Sequence, residues 1–297
     1  MKINRSPGRR TFTIFNYLFL TIVTLICLFP LINVLAVSFS SSWAATAGMV
    51  KLWPVGFTLK SYAYVMHKPQ FLTSFFIAVQ RLGLGVVINM VLTILAAYPL
   101  SKDKKTLRLR GFYAWFFLVT ILFGGGLIPW YMTIRFTGML DTIWALVIPG
   151  AVPVFNVILL LNFFRQLPKE IEESAFMDGA GHWTTLWRIY APLSMPSIAT
   201  LILFSAVGHW NSWFDGLILM NRPEHYPLQS YLQTVVKGLD SKFWGGLSTE
   251  EVKKLSDIND RTSKAAQVFL AALPILCIYP FLQRYFMSGI VLGSVKG

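Results

Sequence analysis

Six apolar stretches, each long enough to cross a lipid bilayer, make up most of this chain and leave little room for any other architecture. They run from Phe12 to Val37, Phe71 to Leu100, Phe112 to Ile134, Thr142 to Phe164, Ser197 to Met220 and Ala265 to Met287. About 20 mainly apolar residues in helical form span the hydrocarbon core. Backbone groups placed there must find partners inside the segment, and this selects helices over open strands. The expected fold is therefore an all-α membrane protein with about six transmembrane helices. Residues 1–11 form an N-terminal segment, 12–290 the membrane domain and 291–297 a tail, with long polar loops at 165–196 and 221–264. Composition agrees: 55% of the residues are hydrophobic and 13% charged, more apolar than a single soluble core of 297 residues requires.

The net charge of +13 has a local explanation. Basic residues gather in short runs beside apolar stretches, as in Lys2–Arg10 (KINRSPGRR) and Ser101–Arg110 (SKDKKTLRLR). Such runs mark cytoplasmic loops and meet anionic headgroups, so nucleic acid is not expected as a partner and membrane lipid is. An even number of spans returns the chain to the side it left, which puts both termini in the cytoplasm. Alternation then places loop 165–196 inside and loop 221–264 outside. The outer loop carries Lys237, Lys253, Lys254 and Arg261, diluted by Glu224, Asp240, Glu250, Glu251, Asp257 and Asp260. The first stretch precedes a small-residue sequence, Ala45–Ala47, but exceeds the apolar core of a signal peptide, about 7–15 residues, and is expected to be retained. Cys27 and Cys277 lie in apolar segments without metal-ligand spacing and are expected to pack.

The polar loop at 165–196 carries the strongest local signals. Pro168 suits a first helical position, and Glu170, Glu172 and Glu173 complement the positive end of the helix dipole. Gly179 and Gly181 supply a break. Trp183, Leu186, Trp187 and Tyr190 then recur at helical spacing as an apolar stripe, ended by Pro192 and Pro196. A helix, a tight turn and a second helix are expected. Shape alone leaves two readings open: a docking handle for a partner, or an amphipathic hairpin lying in the membrane interface.

The string Glu173-Ser174-Ala175-Phe176-Met177-Asp178-Gly179-Ala180, followed by Ile189 and Pro192, resembles the EAA loop of bacterial ABC importer permeases. That pattern reads E-A-A, three residues, G, nine residues, I, one residue, L-P. The spacing matches throughout; Ser174 replaces an Ala and Ala191 replaces the Leu before Pro192. The Asp178-Gly179-Ala180 form and the C-terminal Pro280–Gly297 sequence look like the carbohydrate branch, specifically the maltose-type inner permeases of the polysaccharide and oligosaccharide group. The resemblance implies the type I ABC importer permease fold with a cytoplasmic coupling helix, in the bacterial inner membrane. It implies that Glu173, Ala175, Asp178, Gly179 and Ala180 transmit the ATPase stroke. It also implies a second homologous permease subunit, two ATP-binding subunits, an extracytoplasmic solute-binding protein whose contact with the outer loop is a hypothesis, and a saccharide substrate.

The chain has no G-x-x-x-x-G-K-[ST] phosphate loop, no catalytic arrangement of His, Ser or Cys, and no metal-ligand set. ATP and Mg are therefore expected on partner subunits, and this chain is expected to be a transport subunit, not an enzyme. Polar residues inside the spans single out Arg81, Asn89, Asn156, His209, Asn211 and Asp215 as candidates for the substrate pathway. Trp210 joins them, because sugar rings stack on aromatic faces while amides bind hydroxyls. Interhelical hydrogen bonding is the rival role for each, and an interfacial aromatic belt is the rival for Trp210. Mid-span Gly and Pro at Phe123–Trp130 and Ile148–Pro153 are expected to permit kinks. A permease for a non-carbohydrate solute shares the EAA loop, and a passive channel or scaffold shares the spans; both remain alternatives.

Overall fold

A computed structural model describes residues 7–237 and 260–294, and every described element is helical. Among the described residues fifteen α-helices follow in chain order: α1 Pro7–Ser38, α2 Ser42–Thr46, α3 Lys60–Met66, α4 Pro69–Ser101, α5 Arg110–Leu122, α6 Leu127–Phe136, α7 Ile143–Val147, α8 Val154–Gln166, α9 Lys169–Met177, α10 His182–Thr185, α11 Ala191–Leu193, α12 Met195–Asn211, α13 Phe214–Leu219, α14 Leu228–Val236 and α15 Asp260–Ser294. The expected all-α fold is the one observed.

The chain divides into two compact units. One combines the chain up to Pro69 with Thr234–Leu273; the other runs Gln70–Gln233 and resumes at Pro274. In the first unit, α1 is apolar on every face and exposed from Ile14 to Ile32. A helix greasy all round requires lipid or a neighbouring subunit as its solvent. Only its last turn packs, with Ala36 and Val37 against Ala44, Ala45 and Val50. Asn33 Nδ2 donates to the carbonyl of Lys51 (2.6 Å), and Arg261 Nη1 donates to that of Ala45 (3.1 Å).

The second unit is organised around α4. Its buried residues, Phe71, Ser74, Ala78, Arg81, Gly85, Asn89, Thr93, Ala97 and Leu100, recur every three or four positions and form one stripe. One core joins Met90, Ile94, Ala97 and Tyr98 of α4 to Val157, Leu160 and Phe164 of α8, to Ile198 and Leu201 of α12, and to Leu186 and Tyr190. Where lipid surrounds a bundle, close van der Waals packing replaces water exclusion as the main attraction, so small residues such as Ala97 and Gly85 let helices approach.

Several apolar stretches that the sequence presents as single spans are broken. Helices α1, α4 and the Asp260–Ile278 part of α15 are long and apolar enough to cross a bilayer unaided. The stretch Phe112–Ile134 is two helices, α5 and α6, bent by 115° at Phe123–Gly126, where Gly126 takes a left-handed φ of +85°. The stretch Thr142–Phe164 bends by 45° just after a 3-10 turn at Ile148–Gly150, which contains Pro149 and is followed by Pro153. Ser197–Met220 is interrupted at Ser212–Trp213 between α12 and α13. Counting each broken pair that meets the length and apolarity test as one span gives up to six.

Other boundaries shift. The 221–264 segment is not wholly loop, since α14 lies within it and α15 starts at Asp260; residues 238–259, which hold Asp240, Glu250, Glu251, Lys253, Lys254 and Asp257, lie outside the described residues. Helix α1 begins at Pro7, inside the expected N-terminal segment, and α15 reaches Ser294, inside the expected tail. Cys27 and Cys277 are exposed in the isolated chain and not packed, because each lies on a helix face that no other described residues cover.

Candidate functional site

Helix α9 begins right after Pro168, with Glu170 and Glu172 in its first turn as the dipole favours. Its C-terminus is closed by a Schellman motif: the Ala180 amide donates to the Ala175 carbonyl (2.9 Å) and the Gly179 amide to that of Phe176 (3.0 Å). This motif needs a left-handed residue one position past the cap, and Gly179 has φ +80°. The spacing from Ala175 to Gly179 and Ala180 is thus the spacing of a helix stop. Ala175 is buried as the helix's inward anchor, while Glu173, Asp178 and Gly179 are exposed and Ala180 is half-buried. Met177, at the tip, is 88% exposed, so the turn presents an apolar knob beside two acidic side chains.

The second arm departs from a regular amphipathic helix. After α10, residues Leu186–Tyr190 form a π-helical turn in which the Ala191 amide bonds back to the Leu186 carbonyl. Pro192 has no N–H, so the α-type bond to the Arg188 carbonyl cannot form and the wider turn takes its place. The expected stripe splits accordingly: Leu186 and Tyr190 are buried, whereas Trp183 and Trp187 are exposed. Pro196 does not end this arm. It sits in the first turn of α12, after an 82° bend at Ser194, where a missing N–H is tolerated.

Beneath α9 lies a polar cluster that the sequence reading did not identify. Lys102, just past α4, places Nζ 2.6 Å from Glu172 Oε1 and 4.0 Å from the ring centres of both Tyr98 and Tyr190. Tyr190 Oη donates to Glu172 Oε2 (2.6 Å), and Tyr98 Oη lies 3.2 Å from His182 Nδ1. Burial, only partly offset by Glu172, pulls the Lys102 ammonium below its ordinary pKa. Burial and the bond to Glu172 push the Tyr190 phenol up. An exposed pair, Lys169 to Asp103 (2.8 Å), and a bond from Arg165 Nη2 to the Leu100 carbonyl (3.2 Å) tie the same elements at the surface. The Tyr98–Lys102 pair has the i,i+4 spacing of one helical face and was legible; its partner Glu172 is far away in sequence and was not.

Within the membrane domain the structure joins the polar candidates in pairs. Arg81, buried, makes a two-pronged ion pair with Asp215 in the first turn of α13, and Asp215 Oδ1 also accepts from Ser212 Oγ (2.8 Å) and the Gly216 amide (2.9 Å). Asn89 Nδ2 donates to the carbonyls of Gly150 (2.8 Å) and Ala151 (3.0 Å). These carbonyls are freed by the break between α7 and α8, and a buried amide replaces the missing helical partner. With its amide fixed that way, Asn89 Oδ1 accepts from His209 Nε2 (2.9 Å). Asn156 Nδ2 donates to Ser205 Oγ (3.2 Å), linking α8 to α12. Trp210 is buried edge-on against Phe75, with ring centres 6.0 Å apart, and Asn211 is exposed. Among the described residues there is no group of three or more His, Cys, Asp or Glu placed to hold a metal ion.

Comparison with known proteins adds identity to this geometry. No protein-family model matches the chain. Over 295 residues it is 38% identical to Protein LplC of Bacillus subtilis (strain 168), covering 99% of this chain and 98% of that protein. It is 37% identical over 290 residues to the polygalacturonan/rhamnogalacturonan transport system permease protein YtcP of the same organism, covering 97% and 99% of the two chains. Its structure is similar, with a TM-score of 0.88 and 32% identity over 96% of this chain and 100% of the other, to a chain in the crystal structure of a bacterial ABC transporter involved in the import of the acidic polysaccharide alginate. The chain belongs to the transmembrane permease subunits of bacterial carbohydrate ABC importers.

Proposed function

We propose that this subunit moves an acidic oligosaccharide across the bacterial inner membrane by alternating access, driven by ATP-binding subunits that grip α9 and the turn at Gly179. The observation that carries the reading is that turn: a rigidly capped helix end with Met177, Asp178 and Glu173 outward and Ala175 inward, built to be held from outside the chain. Glu173, Ala175, Asp178, Gly179 and Ala180 are its coupling residues. ATP binding draws the motor closed and the paired coupling helices together, opening the cavity outward; hydrolysis resets it. A second homologous permease completes the pathway, two ATP-binding subunits carry ATP and Mg, and a solute-binding protein delivers the sugar outside.

The acidic class is supported by the relatives, which are linked by name to polygalacturonan and to alginate. Asn211, exposed at the end of α12, and His209, half-buried two residues before it, are the residues we assign to sugar hydroxyls. Arg81, Asn89, Asn156, Trp210 and Asp215 shape the wall behind them. Both termini and the coupling loop lie in the cytoplasm in this reading. ATPase activity of the complete complex in liposomes, with its binding protein, tests it across neutral and acidic oligosaccharides. Stimulation by uronate oligomers is the expected result; stimulation by neutral sugars alone overturns the substrate class, and no stimulation by any saccharide overturns the function.

A further inference from the structure

The cluster around Lys102 has more directional bonds than attachment of α9 requires. Both carboxylate oxygens of Glu172 are used, one by the ammonium of Lys102 and one by the hydroxyl of Tyr190. The ammonium in turn lies over two aromatic faces, Tyr98 and Tyr190. Lys102, Tyr98 and Tyr190 are buried, and Glu172 is nearly so. A buried ion pair is poor value as a stabiliser, since an apolar patch of the same volume commonly holds two helices as well or better. The depressed pKa of Lys102 points the same way, because burial outweighs what its partners return.

Directional bonds supply what an apolar patch lacks, a fixed register. Glu172 cannot rotate or slide with α9 without losing a bond to the end of α4 and another to the π-helical turn. That turn is itself an irregularity, and it brings Tyr190 to the carboxylate. The surface tie between Lys169 and Asp103 is exposed on both sides and contributes little rigidity. Beyond the clasp, α4 continues unbroken past Asn89 and Arg81, which bond to α12 and to α13.

We propose that Lys102, clasped by Glu172, Tyr98 and Tyr190, is the positioning residue through which displacement of α9 is delivered to α4, making α4 the lever that moves the polar residues of the membrane domain. The clasp rests on the reading that α9 is driven by an ATPase. Removing it leaves α9 able to move without carrying α4.

The test uses the complete complex in proteoliposomes with its binding protein and a uronate oligosaccharide, and the readout is ATP hydrolysed per sugar imported. Lys102→Met and Glu172→Gln are each expected to raise this ratio about tenfold. The double variant is expected to do no worse than the poorer single, because both remove one interaction. A wild-type ratio in Lys102→Met overturns the proposal, even if uptake and hydrolysis fall together, since that is what a merely structural residue would do. If Lys102→Met fails to assemble with the ATP-binding subunits, Tyr190→Phe, which loses only the bond to Glu172, decides: a raised ratio supports the clasp and an unchanged one sinks it. A wild-type complex that no saccharide stimulates refutes the importer reading instead, and the two failures are thereby distinct.

Discussion

Arg81, buried on α4, and Asp215, half-buried in the first turn of α13, close a two-pronged ion pair across the membrane domain, and Ser212 Oγ and the Gly216 amide complete the coordination of the carboxylate. Removing one member leaves the other charge without its counter-ion, held only by neutral hydrogen-bond partners. Arg81→Ala and Asp215→Ala are each expected to destabilise by about 3–5 kcal/mol, while the apolar pair Arg81→Met with Asp215→Leu is expected to be nearly neutral. Thermal unfolding of the purified complex measures both. Uptake by the stable double variant then separates a role in packing from one in transport, since loss of uptake without loss of stability assigns the pair to the pathway.

Gly85 faces the ring of His209 so closely that an added Cβ would lie 2.4 Å from Nε2. Gly85→Ala must swing the imidazole off Asn89, with an expected cost of about 1–3 kcal/mol. Gly83, two positions away, has open space around it, and Gly83→Ala is expected to be neutral or to stabilise the helix by up to about 1 kcal/mol. Melting temperatures that fail to separate the two variants would contradict this packing.

At Gly179 the constraint is conformational. An added Cβ meets nothing within the chain, but φ is +80°. A left-handed conformation costs an ordinary L-residue about 1–2 kcal/mol, with Asn penalised least and β-branched residues most. ATP-driven uptake is expected to fall in the order Gly179, Gly179→Asn, Gly179→Ala, Gly179→Val. Gly179→Trp adds a clash with whatever holds the turn, so full uptake and assembly in that variant would end the coupling assignment.

Asp141, itself at φ +62°, anchors the segment after α13: the Asn221 amide donates to it (2.9 Å), and His225 Nδ1 and Arg222 Nε lie 2.9 and 3.7 Å from its oxygens. Burial pulls its carboxyl up, but the contacts with His225 and the Asn221 and Arg222 amides together outweigh it and hold the pKa below the ordinary 3.8. The fold therefore favours the ionised form. Its stabilising contribution is complete above pH 3.8 and disappears as pH falls through the lower folded value. The melting-temperature gap between wild type and Asp141→Asn is expected to close as pH falls below about 4. A gap that widens below about pH 4 would reverse the sign and refute the assignment.

Local chemistry made part of this molecule legible. Apolar length selected helices, Pro168 and the following glutamates set the start of α9, and Gly179 set its stop, because caps and turns depend on residues within a few positions of one another. The Gly and Pro clusters at Phe123–Trp130 and Ile148–Pro153 likewise announced breaks. Their size was not legible: a bend of 115° in one case and 45° in the other reflects what each half packs against, which neither cluster encodes.

Partners remote in the chain belonged to the tertiary structure alone. Nothing near Lys102 names Glu172, nothing near Arg81 names Asp215, and the apolar stripe through Trp183 and Tyr190 gave no sign that a π-helical turn would divide it. Sequence by itself determined that the apolar segments are helical and where α9 starts and stops, since these rest on composition and short-range spacing, while its resemblance to known permeases pointed to the family. Only the folded chain decided which buried charges meet, because an ion pair in a low-dielectric interior forms where packing brings two helices within hydrogen-bonding distance, and that distance is set by every side chain between them.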